Sequence, residues 1–251
     1  MTIRQPMAST TIDLPLIKPQ WRAPASVVAY TTTRAGGVSI GRHSTLNLGL
    51  HVQDDPDYVL ANRAKLPGAD KLQWLDQVHG NRAVMLPAKD SEADASISSD
   101  PTLWCAIMTA DCVPVLLCNR QGTEVAAIHA GWQGLYSRII ARTIQTMRSS
   151  PEDILAWIGP AICGFHYQVD ETLANKFSVY KGVAVPDEAP GKWRLDLPGI
   201  ARYQLHNAGV DAVTDAKRCT YHHNQEFFSH RRSMHEHSGT PGRMVSVIGL
   251  V

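Results

Sequence analysis

Three apolar runs follow one another in the middle of the chain, LWCAIMT (103–109), VPVLLC (113–118) and EVAAIH (124–129), and they constrain the fold more than any other feature. Each is short, rich in β-branched and aliphatic side chains, and bounded by turn residues, so each reads as a buried strand. Similar runs at 26–32 (SVVAYTT), 154–158 and 244–249 extend the set. The core is therefore a sheet. Helices are expected at 56–65, where Asp55 can cap and Pro56 takes the first helical position, and at 198–208 behind another early proline. A third is expected at 133–148, where Leu135, Ile139, Ile140, Ile144 and Met147 recur at helical spacing as one buried stripe. Strands clustered centrally with helices interspersed imply a mixed α+β sandwich rather than a regular βαβ series. The glycine pattern of a dinucleotide fold is absent.

The chain has 251 residues, enough to bury a large core, and shows no repeat, low-complexity tract or long linker. We read residues 1–25 as an N-terminal extension and 26–251 as one domain. Lys and Arg total 24 against 23 for Asp and Glu, so no excess positive charge exists to hold a nucleic acid or a membrane surface. A small-molecule substrate is the expectation. The N-terminus lacks the apolar core of a secretory signal, and nothing approaches the ~18 apolar residues of a transmembrane helix, so a cytoplasmic location is expected. Five cysteines (Cys105, Cys112, Cys118, Cys163, Cys219) without a CxxC pair read as reduced thiols.

Three segments place a metal-competent or nucleophilic side chain at a strand end beside small residues: Gln77-Val78-His79-Gly80, Thr109-Ala110-Asp111-Cys112-Val113-Pro114 and Ile128-His129-Ala130-Gly131-Trp132. Thiolate and neutral imidazole are the usual zinc ligands, and three protein ligands leave a fourth position for water, as in catalytic zinc sites. Bound water could then ionise near neutral pH. The separations along the chain match no zinc finger. On spacing alone the packing reading is favoured, with Cys112 as a small core residue, His79 and His129 as hydrogen-bonded packing residues, and Asp111 as a turn carboxylate rather than an orienter of a metal-bound histidine.

Ten segments change that balance: TTTRAGGVS (31–39), LNLGLHVQDDP (46–56), QVHG (77–80), EADA (92–95), TADCVPVLL (109–117), IHAGWQGL (128–135), IGPAICGFHYQVD (158–170), DLPGIARYQL (196–205), CTYHHNQEFFSHRR (219–232) and GRMVSVIGL (242–250). In these the chain resembles the YfiH-like family, also called the laccase-domain or multicopper polyphenol oxidase family, whose members are now regarded as purine nucleoside phosphorylases. The resemblance implies a layered α/β/β/α sandwich with mixed sheets, similar to a group of proteins classed as cysteine hydrolases. It puts the family's metal ligands on His79, Cys112 and His129 and its TTR arginine on Arg34. The chain departs from the family's usual HAGWRG with Gln133, from CYEV with His166-Tyr167-Gln168-Val169, and from FSYR with Phe228-Ser229-His230-Arg231.

The implied reaction is phosphorolysis of a purine nucleoside, with adenosine, inosine and methylthioadenosine as candidate substrates and phosphate as co-substrate. Arg34 is the expected phosphate ligand, because its planar fork pairs bidentately with oxyanions, with Arg231 or Arg232 as a second donor. Asn47 is a candidate substrate contact, or else caps a turn. Zinc is the expected cofactor; it could polarise the base or activate water, the latter accounting for the adenosine deaminase activity that the resemblance implies, with Asp111 as proton shuttle. The older polyphenol oxidase label fits one triad poorly, since four-electron oxygen reduction needs several coppers, although copper(II) would outcompete zinc there in vitro. A metal-free alternative makes Cys112 a nucleophile activated by His129 in an amidase that edits peptidoglycan precursors. A structural zinc module is a third reading. The histidines from His222 to His237 read as a solvated loop rather than a metal tract.

Overall fold

The computed structural model describes residues 14–251. Its elements in chain order begin with β1 (Leu16–Ile17), β2 (Val27–Thr32), α1 (Pro56–Arg63), β3 (Leu72–Gln73), β4 (Ala83–Met85), β5 (Ala95–Ser98), β6 (Trp104–Thr109), β7 (Val113–Asn119) and β8 (Val125–Ala130). There follow α2 (Trp132–Tyr136), α3 (Ile139–Thr146), β9 (Ile154–Ile158), β10 (Gln168–Asp170), α4 (Glu171–Asn175), β11 (Ala184–Pro186), β12 (Lys192–Leu195), α5 (Leu197–Asn207), β13 (Ala212–Asp215), α6 (His230–His235) and β14 (Met244–Leu250).

All six expected strands are present, and they belong to two mixed sheets. One has the order β1-β2-β14-β6-β3 and the other β13-β9-β7-β8-β5-β4; a small sheet, β10-β12-β11, stands apart. Between the large sheets, Cys105 and Ile107 of β6 and Ile248 and Leu250 of β14 meet Leu116 and Cys118 of β7, Val125 and Ala127 of β8 and Trp157 of β9. The alternate residues Val113, Val115, Leu117, Ala126, Ile128 and Ala130 point the other way, onto Leu135, Ile139, Ile140 and Ile144 of α2 and α3 and Ile200, Ala201 and Leu205 of α5. Both faces of β7 and β8 are thus buried, which explains why these strands are continuously apolar instead of alternating. The outer face of the first sheet is covered by Leu46, Leu48, Leu66 and Trp74 from the segment that carries α1. The result is the mixed-sheet α+β sandwich expected from the sequence. Among the described residues no helix is long and apolar enough to cross a membrane.

Three expectations need correction or extension. The helix at 133–148 is two helices, broken at Ser137 and Arg138, where Arg138 takes a left-handed backbone (φ 63°). Ser137 Oγ donates to the carbonyl of Gln133 (2.8 Å), a local bond that competes with helical continuation. The apolar stripe runs across the break because both helices bury the same face. The histidine-rich stretch is no solvated loop throughout: Ser229 caps α6 by accepting from Arg232 N (3.1 Å), and Phe227, Phe228 and Ser229 are buried. Of the N-terminal extension, residues 1–13 lie outside the described residues, whereas β1 pairs antiparallel with β2, and Ile17, Trp21 and Ala23 pack against the core between the sheets.

Candidate metal centre and its cavity

Strand register brings the first two donors together. Pro114 of β7 lies opposite His129 of β8. Successive side chains of a strand alternate faces, so His129 shares the inter-sheet face with Ala127 and Val125, and Cys112, two residues before Pro114, arrives at the same end. The third donor comes from a loop fixed on both sides. Gln77 exchanges two hydrogen bonds with the backbone of Met108 in β6, accepting from its N–H (2.7 Å) and donating to its carbonyl (2.8 Å). Asp94, immediately before β5, accepts from the backbone N–H groups of His79 (3.0 Å) and Gly80 (2.6 Å). The left-handed backbone of His79 (φ 61°) is held by these bonds.

As a result His79, Cys112 and His129 bring one nitrogen or sulfur each to within 4.8 Å of one another. The two imidazoles stand edge to face with centroids 4.7 Å apart. Asp94 also takes a bond from His129 Nδ1 (2.8 Å), and neither side chain is open to water. That bond fixes the ring and leaves Nε2 as the donor toward the cluster, the carboxylate–histidine arrangement typical of metal ligands. Gly131 completes the cup: a Cβ there would lie 3.0 Å from Cys112 Sγ and 3.2 Å from His79 Cδ2. A borderline-soft divalent ion such as zinc fits this donor set of two imidazoles and one thiolate.

The electrostatics favour the charged forms. Burial pushes the Cys112 thiol up, but the adjacent His129 and hydrogen bonds from both histidines outweigh it, and the pKa falls to about 6. Burial likewise opposes protonation of His129, yet Cys112 and Asp94 raise it to about 9. Asp94 is penalised by burial but is held below the ordinary carboxylate range by His129 and the Gly80 and His79 amides.

The cluster opens into a cavity of about 450 Å³ whose lining includes Arg231, Arg243, His51, His230, Tyr167 and Gln133. Burial pushes Tyr167 up to about 12 and lowers both His51 and His230. A larger cavity of about 840 Å³ beside α3 and α5 has no His, Cys, Asp or Glu among the described residues that line it.

The other residues singled out from the sequence are placed unevenly. Asp111 borders the cavity in a left-handed conformation (φ 95°), but both its oxygens are engaged: Thr220 Oγ1 donates to one (2.6 Å), and Ser229 Oγ (3.1 Å) and Arg231 N (2.6 Å) donate to the other. Arg231 stacks over Tyr167 (4.7 Å) and donates to the carbonyl of Gln168 (2.7 Å). Arg34 does not line this cavity. It donates to the carbonyls of Ser44 (2.9 Å) and Asn224 (3.1 Å), lies over Phe228, and borders a separate 150 Å³ pocket with Arg232. Arg232 itself is spent on the carbonyls of Thr220, Tyr221 and Phe227. Asn47 is buried away from the cavity and touches its lining only through Arg243, whose backbone N–H it accepts (2.9 Å). Sequence reasoning missed Asp94, His51, Arg243 and Tyr167. Each falls inside a quoted family segment, yet nothing in its local pattern separates it from a turn or packing residue.

Fold and centre together define a class: an α+β sandwich carrying one His-Cys-His cluster at the mouth between its sheets. The chain belongs to the family described as multi-copper polyphenol oxidoreductase laccase, whose model matches residues 28–251. It is 44% identical over 245 residues to the purine nucleoside phosphorylase YfiH of Escherichia coli, covering 94% of this chain and 99% of the relative. A purine nucleoside phosphorylase of Deinococcus radiodurans is 40% identical over 251 residues, covering 96% and 95%. Among solved structures, a Neisseria meningitidis protein superposes with a TM-score of 0.85 at 37% identity, covering 94% of this chain and 98% of the other. YlmD of Geobacillus stearothermophilus does so with 0.81 at 31%, covering 90% and 92%.

Proposed function

We propose that this chain is a zinc-dependent purine nucleoside phosphorylase acting on adenosine and inosine. The reading is carried by one observation: a soft-donor cluster backed by a buried carboxylate shares a single cavity with Arg231, Arg243, His51 and His230. In phosphorolysis a phosphate oxygen bonds to C1′ of the ribose as the bond from C1′ to the purine nitrogen breaks, and the base leaves with the electron pair and takes up a proton. Positive charge suits the attacking oxyanion, and Arg231 and Arg243 supply it in the lining of the cavity where Arg34 does not. Zinc held by His79, Cys112 and His129 would supply Lewis acidity toward a purine nitrogen or a water molecule. Asp94 keeps His129 oriented, and Asp111 fixes Arg231 through its backbone instead of shuttling protons, because both its oxygens accept bonds already. Adenosine deamination belongs to the same proposal as a second outcome in this cavity. The names of the relatives at 40–44% identity support the phosphorylase reading.

The test is a product analysis with adenosine or inosine, with and without phosphate. Ribose 1-phosphate is expected from native protein and not from Cys112→Ala; its formation by the variant would discard the centre. Inosine formed from adenosine without phosphate would mark deamination.

One observation favours a second reading. Cys112, His129 and Asp94 form a chain from thiol to imidazole to carboxylate, with the thiol lowered and the imidazole raised, as a cysteine hydrolase requires. Amide hydrolysis that resists chelators and is blocked by iodoacetamide would establish it in place of the phosphorylase.

A further inference from the structure

A second group of soft donors lies outside the cavity. Cys163, His166 and Cys219 bring one ligand atom each to within 4.8 Å of one another. His166 Nδ1 is 3.2 Å from Cys163 Sγ and 3.5 Å from Cys219 Sγ. None of the three lines the 450 Å³ cavity. The remaining cysteines differ: Cys105 and Cys118 are sealed in the apolar core between the sheets, whereas Cys163 and His166 are half-buried and reachable from solvent.

Two rigid pieces of backbone build the group. Cys163 precedes a single tight turn, Gly164–His166, and His166 N donates back to the carbonyl of Cys163 (3.0 Å), so the C-x-x-H spacing puts both donors on one side of the turn. The turn is packed hard against the start of α5, since a Cβ on Gly164 would lie 3.1 Å from Asp196 Cβ. Cys219 arrives on a parallel bridge with Ala161, flanked by bonds from Ala161 N to the Arg218 carbonyl and from Thr220 N to the Ala161 carbonyl, each 3.1 Å. Tyr221 stacks on His166 at 4.6 Å and 20°, holding the ring in its plane.

We propose that Cys163, His166 and Cys219 form a second metal site, for a thiophilic divalent ion with zinc as the natural occupant. Two thiolates balance the charge of the ion, the imidazole completes three protein donors, and water takes the fourth corner of a tetrahedron. The site clamps the 161–168 segment to the 218–221 segment. The first borders the cavity, which Ile162 and Tyr167 line, and the second reaches it through Thr220, which donates to Asp111 beside Cys112. The second ion therefore holds a wall of the first site in place without touching substrate.

Cobalt(II) is the probe, because thiolate ligation gives it a near-ultraviolet charge-transfer band. In the double variant His79→Ala with Cys112→Ala, which removes the first centre, metal-free protein should still bind one cobalt and show a thiolate band. In Cys163→Ser with Cys219→Ser, two of the three thiolate contributions should vanish. A double variant that gives no band overturns the site. Should the serine variant fail to fold, native protein answers the same question: saturating zinc should protect Cys163 and Cys219 from N-ethylmaleimide in peptide mapping. Labelling of both at unchanged rates overturns the proposal, as does recovery of a Cys163–Cys219 disulfide from protein that excludes cobalt after reduction.

Discussion

The two clusters of soft donors use the same atom types and differ in everything around them. At His79, Cys112 and His129 a buried carboxylate backs one imidazole, and the thiol sits against two histidines that lower it to about 6. At Cys163, His166 and Cys219 no carboxylate among the described residues hydrogen-bonds the imidazole, and burial together with the neighbouring Cys219 pushes Cys163 up to about 11. Donor identity thus decides which ion fits, while the surrounding charge decides whether the site is poised at neutral pH before any ion arrives.

The sharpest way to break this contrast is kinetic. Cys112→Ala should lower phosphorolysis by about 10³-fold or more, several kcal/mol of transition-state stabilisation. Cys219→Ser should leave a protein that still turns over in the same assay; equal losses would merge the two clusters into one functional unit. Next in size is thiol reactivity. In metal-free protein at pH 7, Cys112 is above its pKa and Cys163 far below, so iodoacetamide should label Cys112 faster on the order of 10²-fold, after its lower nucleophilicity is allowed for. Acidification to pH 5 should protonate Cys112 and slow it, as read by mass spectrometry of peptides; comparable rates would remove the electrostatic distinction. Asp94→Asn should weaken zinc binding at the first cluster by roughly 10- to 100-fold in competition with a chromogenic chelator and leave the second unaffected. The smallest effect concerns the link between them. Thr220→Val deletes the bond to Asp111 and should cost about 1 kcal/mol in urea unfolding, with both clusters still able to bind metal.

Much of the frame is readable without coordinates because the inner strands are buried on both faces and so are apolar over most of their length. The small sheet is not: β10 and β12 alternate polar and apolar residues over a few positions and carry exposed residues such as Gln168 and Lys192, and β11 is only Ala184–Pro186, patterns shared with loops. The break at Arg138 is hidden because its conformation comes from a backbone angle and a serine bond, neither of which disturbs the buried stripe. The centre at Cys112 stands out through family resemblance, not spacing, since its donors meet through strand register. Asp94 is invisible for the same reason: in SEADA it is one acid of two, and only the pairing of β5 with β8 turns it toward His129. The second cluster joins residues far apart in the chain, one of which, His166, reads as a mere departure from CYEV.

Asp94 carries a last implication. Besides its carboxylate bonds, its carbonyl accepts the backbone N–H of His129 (2.7 Å), so one residue joins the His79 loop, the His129 ring and the ladder between β5 and β8. The His129 ring cannot swing out of the donor cup without giving up its carboxylate bond at this sheet margin. Amide exchange at His79, Gly80 and His129 should therefore proceed as one cooperative event, so that the grip of the His129 donor is coupled to the mechanics of the sandwich and not to its own ring alone.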